Sequence, residues 1–176
     1  LGIAIAAIAL AVLMFFGVSQ RAHQVSLATL AERAIPVDVA LSNGRPTFLE
    51  FYADWCSSCR AMAKDIDQLE STFADQVNFV MLNVDNPKWM SELIQYQVDG
   101  IPHFVFFDAT GHPLASAIGE QPKTILTQNL TALAVGESLP YTTTALGTTS
   151  TLDNDGVAAS SSGATDPRSH GGIPQS

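Results

Sequence analysis

Cys56 and Cys59, the only two cysteines of the chain, stand in C-x-x-C spacing within Trp55-Cys56-Ser57-Ser58-Cys59. On a helix this spacing separates two thiols by one turn. The run before them, Thr47-Phe48-Leu49-Glu50-Phe51-Tyr52, is rich in strand formers. The run after them, from Arg60 to Leu69, has helical periodicity. A C-x-x-C at such a junction suits dithiol–disulfide chemistry. The helix start aims free N–H groups and a positive dipole end at the first sulfur, which favours its thiolate. The second thiol is close enough to close a disulfide and release a trapped partner.

The other chemistries open to a lone C-x-x-C fit less well. Half a zinc site needs two further ligands at usable spacing. His103 and His112 fall on a predicted strand and a predicted turn, and no second C-x-x-C exists. Haem attachment needs a histidine after the second cysteine, where Arg60 stands. No metal is expected. With 17 Asp and Glu against 8 Lys and Arg the chain is acidic, which argues against a nucleic-acid partner.

The elements that position the pair follow from periodicity. Residues 48–52 read as a strand buried on both faces. Residues 59–73 read as a helix with Met62, Ile66, Leu69 and Phe73 on one stripe, which marks them as core. A second central strand is predicted at residues 77–84. Pro87 suits the first turn of a helix running through Trp89, Leu93 and Tyr96. Residues 99–102 read as a turn, 103–107 as a third strand, 110–113 as a hairpin turn, 114–118 as a fourth strand, and 122–135 as a last helix. Upstream, residues 24–34 have weak helical periodicity that Pro36 ends. Residues 37–39 suit either a short strand or the start of a short helix.

Residues 1–18 form an apolar run without a charge. As a helix it would span about 27 Å, enough for a bilayer core. It is longer than a usual signal-peptide core, although Gly17-Val18-Ser19 leaves processing open. The division expected is a transmembrane anchor at 1–19, a linker at 20–35, one domain at 36–137 and a disordered or loosely docked tail at 138–176. The tail is rich in Ser, Thr and Gly and buries too little apolar surface to offset its ordering entropy.

Taken together, Phe51-Tyr52-Ala53-Asp54-Trp55-Cys56-Ser57-Ser58-Cys59-Arg60 resembles the active-site signature of thioredoxins. Leu82-Asn83-Val84-Asp85 resembles the family's second central strand, Gly100-Ile101-Pro102 its cis-proline loop, and Gly119 its late glycine. The anchor, Glu50-Phe51-Tyr52-Ala53-Asp54-Trp55-Cys56, the segment from Asn78 to Asn86 and Gly100-Ile101-Pro102-His103-Phe104 are similar to the membrane-anchored thioredoxin-like proteins of cyanobacteria and thylakoids, as is Asp166-Pro167-Arg168-Ser169-His170-Gly171 near the end. The resemblance implies an α/β thioredoxin fold, a central mixed sheet with helices on both faces, here preceded by one transmembrane helix. It implies a catalytic domain facing the lumen or periplasm from a thylakoid or plasma membrane.

The resemblance also implies roles. Cys56 is the nucleophile and Cys59 the resolving thiol, with no cofactor beyond their redox-active disulfide. Trp55 packs beside them, or is a plain core aromatic. Ile101 and Pro102, with Gly119, bind an extended partner chain; alternatively Pro102 only opens an edge strand. Glu50 stands where the family buries an Asp, and would take the resolving thiol's proton, unless it reaches solvent. Met81 replaces the family's usual Lys partner, and Lys64 its kinking Pro. His103 would lie near Cys56 or be a partly exposed strand residue. The expected function is thiol–disulfide exchange on proteins such as apocytochromes, as a reductant fed by a polytopic membrane thiol transporter. Two rivals are an oxidase donating its disulfide and a peptide-docking or assembly factor with a dispensable dithiol.

Overall fold

The computed structural model describes residues 25–145 and 147–152. The expected anchor, and the tail beyond residue 152, lie outside the described residues. Among the described residues no helix is long and apolar enough to cross a membrane.

Ser26 caps the first helix, α1 (Leu27–Arg33), its hydroxyl accepting from the Thr29 N–H. A one-turn helix, α2 (Val37–Ala40), settles the two readings of that segment in favour of helix. Strand β1 (Thr47–Tyr52) is buried throughout and feeds α3 (Ser57–Phe73). Then come β2 (Asn78–Asn83), a 3-10 turn (Pro87–Trp89), α4 (Met90–Gln95), β3 (Gly100–Ile101), β4 (His103–Phe107), β5 (Pro113–Ile118) and α5 (Lys123–Ala134). The predicted helix after Pro87 is thus split. Asn86 caps the 3-10 turn and Trp89 begins a separate α-helical segment.

The main sheet runs β2-β1-β4-β5-β6, with β6 at Thr143–Ala145. β1 pairs parallel with β2 and antiparallel with β4, so it is central, and it is buried on both faces. The alternation of a strand sorts its residues. Phe48 faces α3 and packs on Phe79, Phe104 and Phe106 at centroid distances of 5.5, 5.3 and 5.2 Å. Phe51 points the other way, toward Tyr96 after α4, which also meets Phe107 edge-on. α3 buries Met62, Ile66, Leu69 and Phe73, the stripe read from the sequence. α1 is tied to α3 by Arg33, which reaches Asp67 at 2.6 Å and Glu70 at 2.8 Å. Half-exposed pairs of this kind contribute on the order of 1 kcal/mol or less, so buried Leu27 and Leu30 do more to seat the helix.

Of the two readings left open for the segment after Ser138, disorder or loose docking, the described part as far as Leu152 takes the docked one. Its backbone docks as two strands. β6 runs parallel along β5, and β7 (Ser150–Thr151) pairs antiparallel with β3. Composition argued that the segment buries little. The edges of β5 and β3, however, carry backbone donors and acceptors that a strand can pair. The expected turn at residues 99–102 consequently contains a short strand.

The start of β1 is held by Asn78. Its side-chain amide lies 3.0 Å from Ala40 O, 2.9 Å from Asn43 Oδ1 and 3.1 Å from Thr47 Oγ1, and its Oδ1 accepts from Asn43 Nδ2 at 3.0 Å. Because Asn78 is fully buried, deleting the amide strands several polar groups away from water. Asn78→Ala is expected to destabilise the domain by about 1–3 kcal/mol, seen as a lower urea midpoint at unchanged slope. An unchanged midpoint would show that the amide network contributes nothing.

Candidate active site

The two cysteines sit where β1 passes into α3. Cys56 is the N-cap of α3: its backbone is extended (φ −68°, ψ 112°), and its Sγ accepts the Cys59 N–H at 3.1 Å. One of the free donors at the helix start is therefore spent on the sulfur itself. Cys59, one turn in, is joined to Cys56 in a disulfide with a Cα–Cα distance of 5.3 Å. Both residues are 0% exposed. Ser57 is exposed, whereas Ser58 is buried and its hydroxyl has no hydrogen-bond partner among the described residues.

Trp55 lies half-buried at the mouth of the site and is held by its indole N–H, which donates to the Asp85 carboxylate at 3.0 and 3.2 Å. Asp85 was read from the sequence only as the end of a strand. Its role as the tether of Trp55 depends on β2 running parallel beside β1, which brings the two strand ends together. The Asp85 N–H in turn donates to Asn83 Oδ1, which shapes this corner. Arg60 Nη1 reaches back to Asp54 O at 2.5 Å. This cation is thus anchored on the backbone ahead of the motif.

Glu50 does not reach solvent. It is 1% exposed, and neither carboxyl oxygen has a partner among the described residues. Its register neighbours are Met81 on β2 and Phe104 on β4. It lines a small cavity of about 10 Å³ with Leu30, Ile66, Glu70 and Met81, at the lower limit for one water. Ile66 is two turns along α3 from Cys59, on the same helix face. The carboxyl therefore lies beneath the helix that carries both thiols. Burial without a compensating partner pushes its pKa up to about 8. In that state Glu50 is a neutral acid poised to exchange a proton near neutral pH.

Ile101 and Pro102 are buried, and the peptide between them is cis. Gly119 has φ +85°, and its N–H donates to Pro102 O at 2.8 Å, which couples the late glycine to the proline loop. His103 is a strand residue, but a buried one rather than partly exposed. It is 2% exposed, both ring nitrogens lack partners among the described residues, and its ring packs edge-on against Phe51 at 5.9 Å. In β4 it pairs with Phe51 and shares its face, away from Glu50. Burial lowers its pKa, with Asp99 opposing, so it packs as a neutral ring. Lys64 is exposed on an unbroken α3. Among the described residues no three His, Cys, Asp or Glu side chains converge to hold a metal ion.

The Glu50 shift carries a stability consequence. An ordinary Glu ionises near 4.5, so between pH 4.5 and 8 the unfolded chain has lost a proton that the folded chain keeps. Stability from this group is fully present below about pH 4.5, falls as pH rises toward 8, and levels off above it. Urea titrations of the oxidised protein from pH 4 to 9 are expected to show this fall, and Glu50→Gln to flatten it. An equal slope in parent and variant would mean that Glu50 ionises normally.

This geometry is that of a dithiol exchanger, and comparison with known proteins agrees. The family model described as Thioredoxin matches residues 29–132. The chain is 50% identical to the thiol:disulfide interchange protein TxlA homolog of Synechocystis sp., over 96% of this chain and 92% of that one. It is 48% identical to the thiol:disulfide interchange protein TxlA of Synechococcus elongatus, over 95% and 86%. It is 47% identical to the chloroplastic thioredoxin-like protein HCF164 of Arabidopsis thaliana, over 84% of this chain and 55% of that longer protein. With its mixed sheet, helices on both faces and Cys56–Cys59 pair at the head of α3, the chain belongs to the thioredoxin family and is a thioredoxin-like protein-disulfide oxidoreductase.

Proposed function

We propose that the chain is a membrane-anchored reductant of protein disulfides on the lumenal or periplasmic side of a thylakoid or plasma membrane. Residues 1–19 serve as its anchor. A polytopic thiol transporter in the membrane returns its electrons, and proteins such as apocytochromes awaiting haem are its substrates. The chloroplastic and cyanobacterial relatives support this setting.

The direction is carried by one observation: among the described residues the only donor on Cys56 Sγ is the Cys59 N–H. Dithiols that act as oxidants do so because their reduced form is unusually stable. Here a helix start favours the Cys56 thiolate, while Arg60, the nearest cation in sequence, is turned back onto Asp54 O. The reduced pair is activated without being over-stabilised, which suits electron donation.

The step balances as follows. The Cys56 thiolate attacks one sulfur of a partner disulfide. A Cys56–partner bond forms, the partner's S–S bond breaks, and the leaving sulfur takes a proton. The fraction of Glu50 that is ionised, which grows as pH approaches about 8, accepts the proton of Cys59. The Cys59 thiolate then attacks Cys56 Sγ, closes the Cys56–Cys59 disulfide and expels the second partner thiol. Two electrons pass to the partner. The transporter's dithiol restores the pair by the reverse exchange.

The reduction potential is expected nearer the roughly −270 mV of a reducing dithiol than the roughly −120 mV of an oxidising one. At neutral pH, Cys56 of the reduced protein should alkylate much faster than Cys59. Cys56→Ser should abolish reduction, and Cys59→Ala should accumulate mixed disulfides on Cys56 whose partners mass spectrometry identifies. A potential close to that of an oxidant would reverse the direction assigned. Faster alkylation of Cys59 would exchange the two roles.

A further inference from the structure

β3 is two residues long and leads directly into Pro102. β7 covers it, Gly100 facing Thr151 and Ile101 facing Ser150. The Leu152 N–H donates to Asp99 O at 3.0 Å, so Asp99 and Leu152 form a hydrogen-bonded pair. Antiparallel partners alternate between bonded and non-bonded pairs. Two residues on, Ile101 and Ser150 therefore form another pair exchanging both N–H···O bonds. The N–H and C=O of the residue before the cis-proline are thus occupied by the chain's own backbone. The same segment also crosses the loop after Gly119. Thr148 O accepts the Glu120 N–H at 3.2 Å, and a Cβ on Gly147 would lie 2.5 Å from Glu120 O.

We propose that residues 147–152 form an intramolecular strap that occupies the edge where a substrate's extended segment docks, and that it must lift before exchange at Cys56. The inference rests on the function proposed above. An incoming strand and the strap need the same backbone atoms of Ile101, and each N–H serves one strand at a time. The strap holds no cysteine, so it fills the edge without being turned over. It is lightly held: Thr148 and Thr151 are exposed, and Leu152 is the strap's residue packed against the core. A two-residue ladder is marginal by itself. Its tether nonetheless keeps it at high effective concentration, and apparent substrate affinity is reduced by the fraction of time the strap is closed.

The test uses the full chain and insulin as the disulfide-bearing probe, with dithiothreitol as electron source. Ser150→Pro removes the N–H that pairs with Ile101. Gly147→Val forces a side chain against the Glu120 carbonyl at a φ of +94°. Each variant is expected to lower KM about threefold or more at unchanged kcat, and a synthetic Gly-Thr-Thr-Ser-Thr-Leu peptide to raise the variants' KM again. An unchanged or increased KM overturns the strap and leaves exchange at Cys56 standing. Failure of parent and variants alike to reduce insulin overturns the function itself. A second measurement needs no strap variant. When Cys59→Ala is trapped on an insulin chain, the Ser150 and Leu152 amides should exchange hydrogen faster than in the free protein. Retained protection overturns the proposal.

Discussion

The hydrogen bond from the Cys59 N–H to Cys56 Sγ joins the chemistry of this protein to its fold. A helix cap is ordinarily an oxygen of Ser, Thr, Asp or Asn whose role ends with satisfying an orphan donor. Here the cap is a sulfur of the redox-active pair, so the place where α3 begins and the place where that sulfur stands are one fact. That start is held by the burial of β1 on one side and of Met62, Ile66 and Leu69 on the other. Packing energy spread over the sheet and α3 is thereby converted into the position of one atom, with Cys59 a turn away as a necessary consequence.

The electrostatics of the site are correspondingly sparse. Among the described residues the donor on Cys56 Sγ is the Cys59 N–H and Arg60 is turned back onto Asp54 O, so the helix end is the activating feature, and its influence fades within a turn. Beneath α3 the balance is reversed. Glu50 sits between Met81 and Phe104 without a partner among the described residues, and burial raises its pKa to about 8. A buried carboxyl without a cationic partner is costly to ionise, and the same cost places its titration close to neutral pH, as the proton-carrying role proposed above requires. With Met81 beside it in register, desolvation rather than a charge pair sets the titration of this carboxyl.

Much of this was legible in the sequence because it depends on local period and on residue type. The α3 stripe, the apolar β1 and β2, and the C-x-x-C at their junction are all short-range patterns. What escaped depends on pairing across the sheet. Asp85 became the tether of Trp55 only once the parallel register brought the ends of β1 and β2 together. His103 reads as a polar residue, yet register places it opposite Phe51 in the core, where its ring packs as an aromatic. For the stretch after Ser138 composition left disorder and loose docking both open, because its docking is a backbone matter that composition does not encode.

That last difference bears on how such a site is kept both available and quiet. An enzyme that takes extended protein segments must leave an edge unpaired, and an unpaired edge invites any strand, including aggregating ones. Bulky or charged side chains would blunt the edge but also obstruct the substrate. A segment of small hydroxylated residues on the same chain meets both needs. It satisfies the backbone groups of Ile101 and Asp99, contributes little apolar burial of its own, and is therefore the strand most easily exchanged for a better one. The low hydrophobicity that marked the segment as weakly structured is the property a displaceable cover requires.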